Sequence, residues 1–230
     1  MVGSSDDREI DRLMQTAMLH LQARRWDEAA HDYNSVLRSL PEHAEALHLC
    51  GMVEFHRGQL ELAAQKVTKA IALSPDAASY HNSMGLIELR RGRLIEATEA
   101  FRESIRLNDD VFQVWTNLAQ ALEQSGNPRA AGEACGRAAM LSVGARKVEL
   151  LMRQGNLFQR MGDLEQAASS YRESVLIHPG YSPAHANLGS VLDDLGKSDE
   201  ADAQFRTAAR LDPRDSTIHN NWGLLLNRRQ

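Results

Sequence analysis

Glycines recur along this chain at a spacing that leaves few folds open. Gly58, Gly92 and Gly126 stand 34 residues apart, Gly162 follows after 36, and Gly196 after another 34. Three further ladders run in phase with them. Ala29, Ala63, Ala97, Ala131, Ala167 and Ala201 form one, and Tyr33, Val67, Phe101, Cys135, Tyr171 and Phe205 follow four residues after each. Ala17, Gly51, Gly85, Ala119, Gly155, Gly189 and Gly223 form the third, always upstream of the turn. Pro41, Pro75, Pro179 and Pro213 close four of the units, with Asp109 and Val143 at the two remaining sites.

Residues 182–213 state the unit most plainly. Leu188, Gly189 and Leu192 fall on one face of a first amphipathic helix, and Ala201, Phe205 and Ala208 on one face of a second. Spacings of i, i+3, i+4 and i+7 mark helices that bury facing stripes. The turn at Gly196-Lys197 uses a residue that accepts positive φ without penalty. Pro213 ends the second helix because proline cannot extend an N–H···O=C ladder. Small residues in both helices predict a close approach of their axes, and the residue four positions after each alanine fills the remaining space. A hairpin of this size cannot bury both faces alone, so the copies must stack.

A 34-residue helix–turn–helix reading W-x2-L-G, then A-x3-F, then P resembles the tetratricopeptide repeat (TPR). The resemblance runs from Ile10 to the end of the chain, with repeats at 10–43, 44–77, 78–111, 112–147, 148–181 and 182–215 and a first helix alone in 216–230. It implies an all-α fold, a right-handed superhelical α-solenoid, whose first helices line a concave peptide-binding face. Residues 1–9 are read as a flexible polar start, with Ser5-Asp6-Asp7 able to cap the first helix. Trp26 stands where later units carry leucine, and Arg24-Arg25 replaces a turn glycine. The fourth repeat departs furthest, with Gly132 and Gly136 inside its second helix and two extra residues at its end, so a kink or hinge is expected there.

Several function classes are disfavoured. A net charge of −5 argues against nucleic acid, whose binders concentrate basic surface. No apolar run is long enough to span a membrane, and the start lacks the pattern of a secretory signal; a cytoplasmic location is expected. Cys50 and Cys135 occupy buried ladder positions and read as small packed hydrophobes rather than a disulfide. The nine histidines show no zinc-ligand spacing. His81, His185 and His219 share the position of Trp115 and read as packing residues. No phosphate-cradling loop, G-x-S-x-G or paired-carboxylate arrangement is present, so no catalytic residue, metal or cofactor is assigned and the chain is read as no enzyme.

The inward register that the resemblance implies gives the candidate site. Its first half is apolar and methionine-rich: Met14, Met18, Leu21, Leu49, Met52, Phe55, Leu86 and Leu89, with His48, His56 and Asn82 among them. Its second half offers Asn117, Gln120, Gln124, Arg153, Asn156, Arg160, Asn187, Asp193, Asp194, Asn220 and Asn221. Methionines make an adaptable apolar trough, and amides can pair with a peptide backbone. Asn117, Asn187 and Asn221 recur at one position, interrupted by Arg153, where helix propensity gives asparagine no advantage. Similar asparagine ladders hold substrate peptides in the repeat region of the O-linked N-acetylglucosamine transferase family. The carboxylate-clamp type fits less well, for no repeat pairs lysine with asparagine in the groove; Arg153, Asn156 and Asn187 could form a partial anion site.

Two readings follow. One is a scaffold that binds a protein or peptide partner in its groove. The other is the substrate-recruiting region of a larger enzyme, such as a glycosyltransferase, whose catalytic part lies outside this sequence. The stripe of Trp222, Leu225 and Leu226 on the final helix is expected to lack a covering helix, which suggests either an imperfect cap or the front portion of a longer protein; self-association through that helix is a further expectation.

Overall fold

The computed structural model describes residues 5–228, with side chains from residue 7 onward. The described residues form thirteen α-helices and no strand. They divide into two compact units, with the boundary along the chain between Asp109 and Asp110. Unit 1 holds α1 (Ser5–Gln22), α2 (Trp26–Ser39), α3 (Ala44–His56), α4 (Leu60–Leu73), α5 (Ala78–Arg90) and α6 (Leu94–Leu107). Unit 2 holds α7 (Phe112–Gln124), α8 (Pro128–Met140), α9 (Gly144–Arg160), α10 (Leu164–Ile177), α11 (Ser182–Asp194), α12 (Ser198–Leu211) and α13 (Ser216–Arg228). Within each unit, α-hairpins stack on their neighbours. Because α1 starts at Ser5, the assigned polar start overlaps its first turn; the capping assigned to Ser5 and Asp6 involves side chains outside the described residues.

The turn chemistry follows from the residue after each first helix. Gly58 takes φ +79°, and Gln59 N–H closes back on Glu54 carbonyl at 2.9 Å. Arg24 adopts φ +57° at the matching point of the first hairpin, with Arg25 N–H on His20 carbonyl at 2.8 Å. The backbone path of the repeat therefore forces a side-chain-bearing residue into the left-handed region, where a Cβ crowds the following carbonyl.

The packing ladders lock the helices of each hairpin together. All six ladder alanines are fully buried, and so are Tyr33, Val67, Phe101, Cys135 and Tyr171. The ring of Phe101 lies so close to Gly85 that a Cβ there would sit 2.5 Å from it. Glycine in the first helix is thus what lets an aromatic ring from the second fill the gap between the axes. Both cysteines are buried and free.

In the fourth repeat α8 runs from Pro128 to Met140 without interruption. Gly132 and Gly136 act as close-packing sites, for their missing Cβ atoms make room for Phe158 and Gln154 of α9. The extra residues lengthen α9, which starts at Gly144 (φ +59°) rather than at residue 148.

The structure also shows two repeated polar devices. Glu54 is buried and held by Arg57 at 3.1 Å, and Arg57 reaches Asp27 at 3.1 Å. Glu88, Arg91 and Glu61 repeat that arrangement one period later, at 2.7 and 3.5 Å. His81, His185 and His219 each approach the carbonyl of the preceding repeat-closing proline, at 2.7, 2.9 and 3.0 Å. A carbonyl only accepts, so the imidazole Nε2–H donates. These histidines tie the turn after one helix to the start of the next.

The final helix corrects one expectation. Leu225 and Ile218 are buried against α11 and α12, and Trp222 packs on the same core. Trp222 Nε1–H donates to Asp202 at 2.7 Å. Leu226 does remain exposed, and Leu224 is exposed beside it. The helix is rotated so that most of its expected bare stripe meets its neighbours. Among the described residues, no helix is long and apolar enough to cross a membrane.

Candidate functional site

In unit 1, the first helices of the hairpins carry the methionine-rich positions. A cavity of about 720 Å³ opens between α1 and α3. Met14, Met18, Leu19 and Leu49 form its apolar wall, and Asp11 and Glu45 bring carboxylates to it. Three of the candidates, Met14, Met18 and Leu49, thus meet in one trough. Leu19, at 61% exposure the most open apolar residue there, escaped the register reading because it sits one residue off the inward stripe.

The other candidates of this unit are held more tightly. Met52 and Leu86 pack against the core around Phe55, Val67 and Ile87. Phe55 is only 9% exposed, with the Arg90 guanidinium 5.3 Å from its ring centroid. Asn82 is half-buried. His56 stacks on Trp26 with centroids 4.6 Å apart. His48 stacks on Tyr80 at 4.4 Å and meets Ser83 Oγ at 2.8 Å. Burial lowers the His48 pKa to about 4, since a desolvated imidazolium lacks its hydration.

Unit 2 builds a polar site from α7, α9 and α11. A cavity of about 570 Å³ is lined by Glu123, Arg153, Asn156, Leu157, Gln159 and Arg160. Glu123 accepts from Arg153 at 2.9 Å and from Arg160 at 3.1 Å. The hydrogen bond from Arg153, aided by Arg160, holds the Glu123 carboxyl below its usual range. Arg153 therefore meets a carboxylate within the protein, which weakens the partial anion site expected of it with Asn156 and Asn187.

The amides are joined to one another. Asn156 Oδ1 accepts from Tyr171 hydroxyl at 2.6 Å and from Asn187 Nδ2 at 3.2 Å. The same hydroxyl also reaches Gln159 Oε1 at 3.0 Å, and burial raises its pKa to about 12. Gln120, Gln124 and Asn220 are exposed and Asn221 is half-buried. Asn117 is different: it is 6% exposed and accepts from Gln113 Nε2 at 3.2 Å. Three asparagines of one register thus have three environments. Asp193 pairs with Arg228 at 2.8 Å.

Sequence reasoning missed Glu123, Gln159 and the Tyr171 hydroxyl. Tyr171 was counted only as ladder packing; a tyrosine on an otherwise apolar ladder, with amides on the preceding helix, was the available signal. Among the described residues no three His, Cys, Asp or Glu side chains gather as metal ligands would.

Comparison with known proteins agrees with this architecture. The sequence profile of the tetratricopeptide repeat matches residues 14–78, 82–142, 152–216 and 186–230. No curated protein matches the sequence. The fold is similar to that of YrrB, a TPR protein with an unusual peptide-binding site, at 20% identity and a TM-score of 0.67, over 84% of this chain and 98% of that one. It is similar to pilF of Pseudomonas aeruginosa at 19% identity and a TM-score of 0.65, over 94% of this chain and 98% of the other. The O-GlcNAc transferase of Thermobaculum terrenum is similar at 26% identity and a TM-score of 0.58, over 60% of this chain but only 27% of the enzyme.

Proposed function

The chain belongs to the tetratricopeptide repeat family, and on that premise we propose that it is a non-enzymatic scaffold whose first-helix faces hold a peptide. The observation that carries this reading is the open trough of unit 1. Met14 and Met18, picked out by the repeat register, border a cavity of about 720 Å³ that is open among the described residues. Methionine is unbranched and polarizable, so such a wall adapts to several apolar partners. Asp11 and Glu45 add negative charge beside it. The matching ligand is a segment with an apolar anchor and flanking lysine or arginine. In unit 2, the linked amides Asn156, Asn187 and Gln159 supply donors and acceptors suited to an extended backbone.

The test uses peptides selected from a displayed library against the full chain. Each is titrated calorimetrically into the wild type, Met18→Glu, and a variant with Asn187→Ala and Asn221→Ala. Burying one large apolar side chain is worth about 1.5–3 kcal/mol, so Met18→Glu should weaken binding roughly ten- to hundred-fold. Each lost amide hydrogen bond should add a loss of about two- to ten-fold. A peptide that binds all three folded proteins equally well refutes the assignment.

A second reading, the recruiting region of a larger glycosyltransferase, is favoured by the 26% identity to the O-GlcNAc transferase. That likeness covers 60% of this chain. Sequencing the gene past the Gln230 codon tests it: a following glycosyltransferase domain supports this reading, and an immediate stop codon removes it.

A further inference from the structure

The second-helix side of unit 1 carries a separate cavity of about 630 Å³ between α2 and α4. Its charged lining is entirely basic or neutral: Arg38, Lys66 and Lys69 border it, and no carboxylate does. This is unusual for a chain with 31 acidic and 26 basic residues. The chain has four lysines. Lys147 and Lys197 pair with Glu173 and Glu165, whereas Lys66 and Lys69, the other two, both face this cavity. Among the described residues, Arg38, Lys66 and Lys69 make no ion pair. Neutral groups position two of them instead: Lys66 Nζ donates to Asn34 Oδ1 at 3.2 Å, and Arg38 Nη2 to Ser35 Oγ at 2.8 Å. Lys69 also borders the next cavity, where the carboxylates Glu61 and Glu88 are already held by Arg91 at 3.5 and 2.7 Å.

Leu37, Leu47 and Leu62 give the same cavity an apolar wall. We propose that this site docks an acidic protein segment that presents an apolar side chain between its carboxylates. The three cations supply the complementary charge, which sets partner choice and encounter rate. The leucines supply a pocket that a bare phosphate or a nucleic-acid backbone would leave empty. The surface is distinct from the methionine trough, which lies on the first helices and carries charge of the opposite sign.

The probe is a fluorescein-labelled peptide of repeated Asp-Glu-Leu, followed by fluorescence anisotropy with the full chain. Four competitors accompany it: the unlabelled peptide itself, the same peptide with serine for leucine, inorganic pyrophosphate, and a short duplex DNA. The variants are Lys66→Glu with Lys69→Glu, and separately Leu62→Ser, each checked for helicity by circular dichroism. Reversing two charges should weaken the Asp-Glu-Leu peptide about ten-fold or more, and the loss should shrink as salt rises. Leu62→Ser should weaken it several-fold while leaving the serine peptide unchanged. Absence of binding overturns the proposal. Equal affinity in the folded variants also overturns it, and so does competition by pyrophosphate, DNA or the serine peptide as strong as that of the unlabelled leucine peptide, which would signify general polyanion attraction.

Discussion

The glycine ladder makes a graded prediction, because one substitution meets three environments at equivalent positions. In Gly85→Ala, the new Cβ would lie 2.5 Å from Cδ1 and Cε1 of Phe101 and 2.9 Å from Cζ. Phe101 is fully buried, so its ring cannot swing into solvent. Overpacking of this kind costs about 1–3 kcal/mol. Alanine's better helix propensity offsets up to about 1 kcal/mol; with contacts this short the cost lies at the upper end, which leaves a net loss of up to about 2 kcal/mol. In Gly189→Ala, the nearest atoms of Phe205 are at 3.1 Å, so a shift of a few tenths of an ångström suffices. Cost and propensity should then cancel to within about 0.5 kcal/mol. In Gly223→Ala, nothing lies within 4 Å, and the change should stabilise by about 1 kcal/mol. Urea midpoints from far-ultraviolet circular dichroism provide the ranking. Adding Phe101→Leu to Gly85→Ala should recover part of the loss, with a coupling of about 0.5–3 kcal/mol. If Gly223→Ala destabilised as much as Gly85→Ala, ring contact would not be why these positions are glycine.

Three further outcomes are expected. Ala167→Leu and Ala201→Leu should each lower stability by about 1–3 kcal/mol, since both alanines are fully buried at helix crossings; unchanged melting midpoints would refute the register. Tyr33 and Tyr171 share a ladder position, but the buried Tyr33 hydroxyl has no hydrogen-bond partner among the described residues, while that of Tyr171 meets Asn156 and Gln159. Tyr33→Phe should therefore be neutral or stabilising by about 1 kcal/mol and Tyr171→Phe destabilising by about 1–2 kcal/mol, as thermal unfolding would report. The third concerns His48, whose pKa is depressed from 6.5 to about 4 in the folded chain. Its contribution is whole above the unfolded value and is lost as pH falls from about 6.5 toward 4, because only the unfolded chain takes up the proton. Relative to His48→Gln, the wild type should lose about 2–3 kcal/mol across that window; parallel stability curves would show that His48 carries no such linkage.

The hairpin frame, its turns and its core ladders were legible in the residues because each depends on neighbours one helical turn or one hairpin away. A small residue and a ring partner 16 positions apart, as in Gly85 and Phe101, meet whenever the hairpin closes. Arg24 replacing a turn glycine was likewise visible, and its positive φ follows from the same backbone path.

What lay beyond the sequence is which polar atoms meet between stacked repeats. Glu123 answers two arginines from α9, and Asn187 on α11 is tied to Asn156 on α9, one repeat away. Asn117 shares the register of Asn187 and Asn221 and yet is buried. Tyr33 and Tyr171 look alike along the chain, but Met18 and Leu21 stand in the first repeat where Asn156 and Gln159 meet the second hydroxyl. The covered face of α13 had the same origin, since Trp222 finds Asp202 at 2.7 Å only once α12 lies beside it. Apolar burial is non-directional and follows from periodicity alone, whereas a hydrogen bond demands a donor and an acceptor within about 3 Å. That distance is decided by the rotation and offset between stacked helices, which no repeat encodes within itself.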